Sequence, residues 1–286
     1  MQKIIVIVGP TAVGKSALAV ELARRFNGEI ISADSRQVYR GLNIGTGKIT
    51  KPEMRGIRHH LLDVADPRKQ FSAENFRVLG RKAIGDIIAR GKLPIVCGGT
   101  GFYIQALIDD ARFPEVPPNP ALRKKLETQT TARLFALLQK KDSRRAAGID
   151  ANNRRRLIRA LEIVAALGKV PVLQESASLA YDPLFIGLTL PPAELKEKIT
   201  KRLDARLKHG MITEARRLRA NGLSWKRMKE FGLEYRALAE YLEAETTQKP
   251  ISKAELRMRL EHDIWHYAKR QLTWFKRNKR ITWITI

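Results

Sequence analysis

Cysteine is nearly missing: Cys97 is the single one in 286 residues, which excludes an internal disulfide and fits a reducing compartment. No run of eighteen apolar residues occurs, which excludes a transmembrane helix. The first residues already read as a strand, so no signal or transit peptide is expected, and the cytoplasm is the expected location. CxxC, HExxH and acidic calcium-loop patterns are absent, so no zinc centre is expected. No Ser-His-Asp order points to a hydrolase, and the neighbours His59-His60 read as structural. Acidic residues are scarce: 29 Asp and Glu face 54 Lys and Arg, a formal charge of +25. An excess of this size points to a polyanionic partner, nucleic acid above all. A membrane surface fits less well, because no basic amphipathic helix stands free of the fold.

What is present begins with Lys3-Ile4-Ile5-Val6-Ile7-Val8, an apolar, β-branched run suited to a strand covered on both faces. Gly9-Pro10-Thr11-Ala12-Val13-Gly14-Lys15-Ser16 follows with the spacing G-x-x-x-x-G-K-[ST], a loop whose amides close around phosphate oxygens. Lys15 brings a full charge to the terminal phosphates, and the Ser16 hydroxyl is a natural Mg²⁺ ligand. Leu18, Leu22 and Phe26 then lie four apart on one helical face, and Asn27-Gly28 stops that helix. The strand before and the helix after argue against a chance turn, so a diphosphate or polyphosphate binds here.

Glu29-Ile30-Ile31-Ser32-Ala33 reads as a second strand ending in Asp34-Ser35-Arg36-Gln37, and Leu93-Pro94-Ile95-Val96-Cys97 as a third ending in Gly98-Gly99-Thr100-Gly101. Between them, residues 72–90 are helix-periodic, with Phe76, Leu79, Ile84 and Ile87 expected in the core. The rhythm predicts a parallel α/β sheet. Ligands of such sheets bind outside the carboxyl ends of the strands, so the three loops after these strands are expected to converge. Asn43-Ile44-Gly45-Thr46-Gly47-Lys48 lacks nucleotide-loop spacing and reads as a flexible loop.

Four prolines between Phe113 and Pro120 mark a boundary, and the chain beyond is helical and basic. Its best-defined helix runs from about Arg154 to Leu167, with Leu157, Leu161 and Val164 inward, Arg155, Arg156 and Arg159 on adjacent turns, and Gly168 as the stop. Leu184 to Leu190 reads as a return strand, and a helix from about Ala193 carries Leu195, Ile199, Leu203 and Leu207, with Arg202 on another stripe. More helices are expected over 211–220 and 224–244. Ser252-Lys253-Ala254-Glu255 is a capping box opening a helix to about Lys276, and Ile281 to Ile286 alternates as a final strand. The expected organisation is a P-loop NTPase-like parallel sheet flanked by helices over 1–115, completed by about 181–210 and 262–286. A basic helical insertion over 116–180 and a further helical segment over 211–261 complete the chain.

Taken together, the P-loop, Asp34-Ser35-Arg36-Gln37-Val38-Tyr39, Gly98-Gly99-Thr100-Gly101-Phe102-Tyr103, Arg156-Leu157-Ile158-Arg159-Ala160-Leu161-Glu162 and Ala268-Lys269-Arg270-Gln271-Leu272-Thr273-Trp274-Phe275 resemble the tRNA dimethylallyltransferases. The likeness runs in order through essentially the whole chain. One segment departs: Phe231-Gly232-Leu233-Glu234-Tyr235-Arg236 stands where many members have a compact Gly-Tyr-Arg or Gly-Tyr-Lys turn.

The resemblance implies transfer of a dimethylallyl group from its diphosphate to N6 of adenosine 37 beside the tRNA anticodon, with Mg²⁺ as cofactor and no membrane partner. It implies that the P-loop, from Gly9, Pro10, Thr11, Ala12 and Val13 to Gly14, Lys15 and Ser16, holds the donor diphosphate, with Arg202 as a further contact. Asp34, Thr100 and Lys15 are the implied catalytic residues, Asp34 taking the N6 proton. A magnesium carboxylate at a strand end is the other reading of Asp34. Asp34, Ser35, Arg36, Gln37, Thr100, Arg123, Arg155, Arg156 and Arg159 match tRNA-contacting positions. The helical segment over 211–261 is also expected to contact tRNA, and a monomer is the default. A base that must leave its stack suggests a channel between core and insertion. Three rivals remain: a small-molecule P-loop kinase, a prenyltransferase of free adenine nucleotides, and a non-catalytic nucleic-acid binder.

Overall fold

A computed structural model describes residues 2–109, 114, 116–172, 181–245 and 250–286. The chain divides into two compact units: one of Met1–Asp110 with Ser176–Ile286, and one of Ala111–Glu175. Among the described residues no helix is long and apolar enough to cross a membrane.

The first unit runs β1 (Gln2–Val8), α1 (Lys15–Arg25), β2 (Gly28–Ser32), α2 (Lys51–Met54), β3 (His59–His60), α3 (Ala73–Ala89), β4 (Leu93–Cys97) and α4 (Gly101–Ile108). The second unit holds α5 (Pro120–Glu127), α6 (Thr131–Lys141), α7 (Ser143–Ala147) and α8 (Arg154–Leu167). The first unit then resumes with β5 (Tyr181–Thr189), α9 (Pro192–Lys208), α10 (Met211–Ala220), α11 (Trp225–Phe231), α12 (Leu233–Ala244), α13 (Lys253–Phe275) and β6 (Ile281–Thr285).

The six strands form one sheet in the order β3-β2-β4-β1-β5-β6, and every pairing is parallel. β4 lies between β1 and β2, with Cys97 level with Ile7 on one side and Ser32 on the other. The P-loop, the Asp34 turn and the Thr100 loop therefore leave neighbouring strand ends. Both faces are covered, which is why the strands are nearly continuous in apolar residues. Ile7, Ile30, Ile95 and Cys97 meet Ala19, Val20 and Ala23 of α1 on one face. Val6, Val8, Ile31 and Val96 join Phe76, Ile84 and Leu107 in the larger core on the other.

Two expectations shift, and the structural reading of His59-His60 is given a place. In α3, Leu79 is exposed and Gly80 is buried in its place, because α4 presses so close there that a Cβ on Gly80 would stand 2.9 Å from Leu107. The 224–244 stretch breaks at Gly232, whose φ of +72° separates α11 from α12. His59-His60 is a half-buried, two-residue edge strand.

His60 also explains a buried charge at the end of the sheet away from these loops. Glu29, within β2, sits 2.7 Å from His60 Nε2 and from Arg90 Nη2, and 3.2 Å from Lys92 Nζ. Burial pushes its carboxyl up, but the hydrogen bonds from Arg90, His60 and Lys92 outweigh burial and hold the pKa at about 2. A depressed acid stabilises the fold above its unfolded value, and that stability is lost as pH falls from there through about 2. Glu29→Gln takes away the carboxylate that Arg90, His60 and Lys92 donate to and should lower stability by about 1–3 kcal/mol, read from urea unfolding at neutral pH.

Candidate active site

The P-loop is shaped by two positions that tolerate little besides glycine. Gly9 has φ +144°, and a Cβ there would lie 2.5 Å from the carbonyl oxygen of Leu188 on β5. Gly14 takes φ +96° as the cap residue of α1, which has no side-chain cap, so the amides of its first turn stay open to an anion. Lys15 folds back across the loop, its Nζ donating to the Pro10 carbonyl at 2.6 Å. Burial lowers the Lys15 pKa to about 8, reinforced by Arg202 and opposed by Cys97 and Asp34. Ser16 stands exposed beside it at the head of α1.

Asp34 closes a turn on itself. Its Oδ1 accepts from the backbone N–H of Arg36 at 2.8 Å and of Gln37 at 3.3 Å, which fixes the carboxylate while Oδ2 makes no hydrogen bond among the described residues. Thr100 Oγ1 accepts from the Ser35 N–H at 3.0 Å, and Tyr267 of α13 lines the same cavity as Thr100. Burial, with Asp34 adding to it, raises the Tyr267 phenol far above its ordinary pKa, so it remains protonated. Ser32 Oγ donates to Gln37 Oε1 at 3.4 Å.

The glycines around Thr100 are set by close packing. A Cβ on Gly98 would meet the Ala33 carbonyl oxygen at 2.1 Å, one on Gly99 the Gln271 amide at 2.1 Å, and one on Gly101 the Trp274 indole at 2.1 Å. Gln271 ties the two loops together: its Oε1 accepts from the Thr11 N–H at 2.8 Å and its Nε2 donates to the Gly99 carbonyl at 2.9 Å.

Two cavities meet at Asp34. One of about 270 Å³ is lined by Lys15, Ser16, Cys97 and Arg202. The other, about 330 Å³, is lined by Arg36, Thr100, Phe102, Leu233 and Trp274. Thr11, Asp34, Thr46, Gly99, Tyr267 and Gln271 line both. A polar cavity beside the P-loop thus opens into an aromatic-walled space, with one carboxylate at the seam.

The family described as IPP transferase matches residues 37–278. The chain belongs to this family, the tRNA dimethylallyltransferases. A tRNA dimethylallyltransferase of Anoxybacillus flavithermus is 41% identical, over 99% of this chain and 90% of its own. The solved tRNA isopentenylpyrophosphate transferase of Bacillus halodurans is similar at 38% identity and a TM-score of 0.74, covering 100% of this chain and 90% of that one. A eukaryotic dimethylallyltransferase captured acting on tRNA is similar at 30% identity and a TM-score of 0.83, over 100% of this chain and 74% of that one.

Within this family member, Arg202 reaches the site from α9 and donates through Nη2 to the Gly47 carbonyl at 2.8 Å. The loop it touches, read from its sequence as flexible, is held by hydrogen bonds from distant side chains. Glu214 of α10 holds the N–H groups of Asn43, Ile44 and Gly45, and Lys48 is fixed to the Tyr39 carbonyl and Asp63.

The second unit places the four arginines in two different environments. Arg123 grips the buried Glu162 with two hydrogen bonds of 2.8 and 2.9 Å. Arg159 donates to the Val116 carbonyl at 2.8 Å and lies 3.7 Å from Glu162. Both guanidiniums are engaged inside the unit, whereas Arg155 and Arg156 are exposed on α8. Arg123→Ala should unfold this unit more easily, by about 3 kcal/mol. Arg155→Ala with Arg156→Ala should leave stability unchanged and flatten the salt dependence of tRNA binding by roughly one to two units of slope. Calorimetric melting and filter binding at several salt concentrations separate the two.

Tyr267 and Glu214 lie outside the motifs read in the sequence, and Gln271 and Trp274 lie within the Ala268–Phe275 motif but are given no site role there. Gln271 carries a usable signal: it lies three residues after Ala268 and four before Phe275, on the buried stripe of α13, where an amide must find partners.

Proposed function

We propose that this protein transfers the dimethylallyl group of dimethylallyl diphosphate to N6 of adenosine 37 of tRNA, giving N6-isopentenyladenosine and diphosphate. The observation that carries the reading is the seam: Asp34 borders both the phosphate cradle and the aromatic-walled cavity. In this reading the diphosphate lies on the P-loop amides, Lys15 and Arg202, and the adenine enters the second cavity beside Thr100 and Tyr267. The adenine N6 lone pair is delocalised into its ring, so attack needs help. As N6 bonds to C1 of the donor, the C1–O bond breaks, its electron pair leaves on the diphosphate, and the N6 proton passes to Asp34. Lys15, the loop amides and Arg202 stabilise charge where it accumulates on the leaving group.

The residues fit magnesium in one way. Among the described residues no three His, Cys, Asp or Glu side chains cluster to hold a metal, whereas Mg²⁺ commonly sits on phosphate oxygens and water with one or two protein oxygens. Ser16 would supply that oxygen. Bound there, the ion would offset charge on the leaving diphosphate.

The test is diphosphate release from dimethylallyl diphosphate with Mg²⁺, with and without unmodified tRNA. Release should require tRNA and stop at one equivalent per tRNA. Release with AMP would assign the protein to free-nucleotide prenylation, and ATP turnover without diphosphate release would make it a kinase-like enzyme.

A further inference from the structure

Glu214 is a buried carboxylate on α10, and three of the four groups that donate to it are backbone N–H groups of one loop. Its Oε2 accepts from the N–H groups of Asn43 at 2.9 Å and Ile44 at 2.8 Å. Its Oε1 accepts from the Gly45 N–H at 2.9 Å and the Tyr235 hydroxyl at 2.7 Å. Held this way, the loop turns its Gly45 carbonyl to Arg206 Nη1 and its Gly47 carbonyl to Arg202 Nη2, each at 2.8 Å, and sets Thr46 in the wall of both cavities. The fit leaves no slack. A Cβ on Gly45 would meet the Tyr235 ring at 2.6 Å, and one on Gly47 would meet the Arg202 guanidinium at 2.4 Å.

We infer that Glu214 is a positioning residue for the donor diphosphate: it fixes the 43–47 loop, whose Gly47 carbonyl aims Arg202 into the phosphate cradle. This rests on the reading of that cradle as a diphosphate site. A planar guanidinium held by one carbonyl keeps its remaining N–H groups in a set direction, which matters for forked recognition of phosphate. The segment over 211–261, expected to contact tRNA, thereby acts on the donor side through α10 and Tyr235. Glutamine at 214 keeps the size but turns one acceptor into a donor facing backbone N–H groups.

The experiment is titration calorimetry of inorganic pyrophosphate with Mg²⁺, alongside steady-state transfer kinetics. Glu214→Gln should weaken pyrophosphate binding and raise the donor KM, each by about tenfold, with the tRNA KM unchanged. Adding Arg202→Ala to Glu214→Gln should bring little loss beyond Arg202→Ala alone, because the two act through one contact. Gly47→Ala, which crowds Arg202 and leaves Glu214 untouched, should reproduce the defect even if Glu214→Gln folds poorly. Glu29→Gln, destabilised at the other end of the sheet, should bind pyrophosphate normally. Wild-type affinity in Glu214→Gln or Gly47→Ala would overturn the inference, as would multiplicative losses with Arg202→Ala or an equal defect in Glu29→Gln. Wild-type protein that fails to bind pyrophosphate would overturn the diphosphate reading itself.

Discussion

Asp34→Asn should slow prenyl transfer by about 10²- to 10⁴-fold, the usual worth of a positioned general base, with donor binding within about twofold of wild type. The substitution is nearly isosteric, and its amide oxygen can still accept from the Arg36 and Gln37 N–H groups that Asp34 Oδ1 holds at 2.8 and 3.3 Å. The turn survives, and only the capacity to take a proton is lost. Donor affinity measured with and without Mg²⁺ distinguishes the two roles of Asp34. A base leaves both values unchanged, whereas a metal partner would weaken binding only when Mg²⁺ is present.

Lys15→Met should reduce transfer by about 10²- to 10³-fold, since it removes a charge aimed at the leaving diphosphate. The same lysine gives the reaction a pH signature. Burial places its free-enzyme pKa at about 8, and a bound diphosphate raises it. The bound state therefore holds the proton more tightly than the free state. Affinity is insensitive to this group below about pH 8 and falls above it, by up to about tenfold per unit until the bound-state pKa is reached. Calorimetry at pH 8 in two buffers of different ionisation enthalpy should detect fractional proton uptake on pyrophosphate binding. Lys15→Met should abolish that uptake.

The parts of the site legible in the sequence are those whose chemistry is local. A strand, a glycine-gated loop and a helix start announce the phosphate cradle within sixteen residues, and Asp34 and Thr100 follow from the rule that parallel sheets bind at their carboxyl ends. The parallel sheet was likewise readable from the alternation of strands and helices. What was not legible depends on partners far along the chain. The 43–48 loop reads as flexible from its glycines, because the carboxylate that fixes it is about 170 residues away in Glu214. Arg123 and Arg159 match tRNA-contacting positions in the sequence, but their pairing with Glu162 was not legible, because nothing nearby marks Glu162 as buried. Leu79 reads as core by period alone, yet the approach of Leu107 demanded the smaller Gly80.

The central claim is that a phosphate loop here carries a prenyl donor whose carbon ends on a tRNA base. The most direct test is nucleoside mass after the reaction. Unmodified tRNA is incubated with the protein, Mg²⁺ and dimethylallyl diphosphate, then digested and weighed. The account predicts one prenyl group gained on one adenosine per tRNA, and a gain on that nucleoside at least about a hundredfold smaller with Asp34→Asn over the same interval. Unchanged tRNA nucleosides, with the prenyl group recovered on free AMP or not transferred at all, would contradict it.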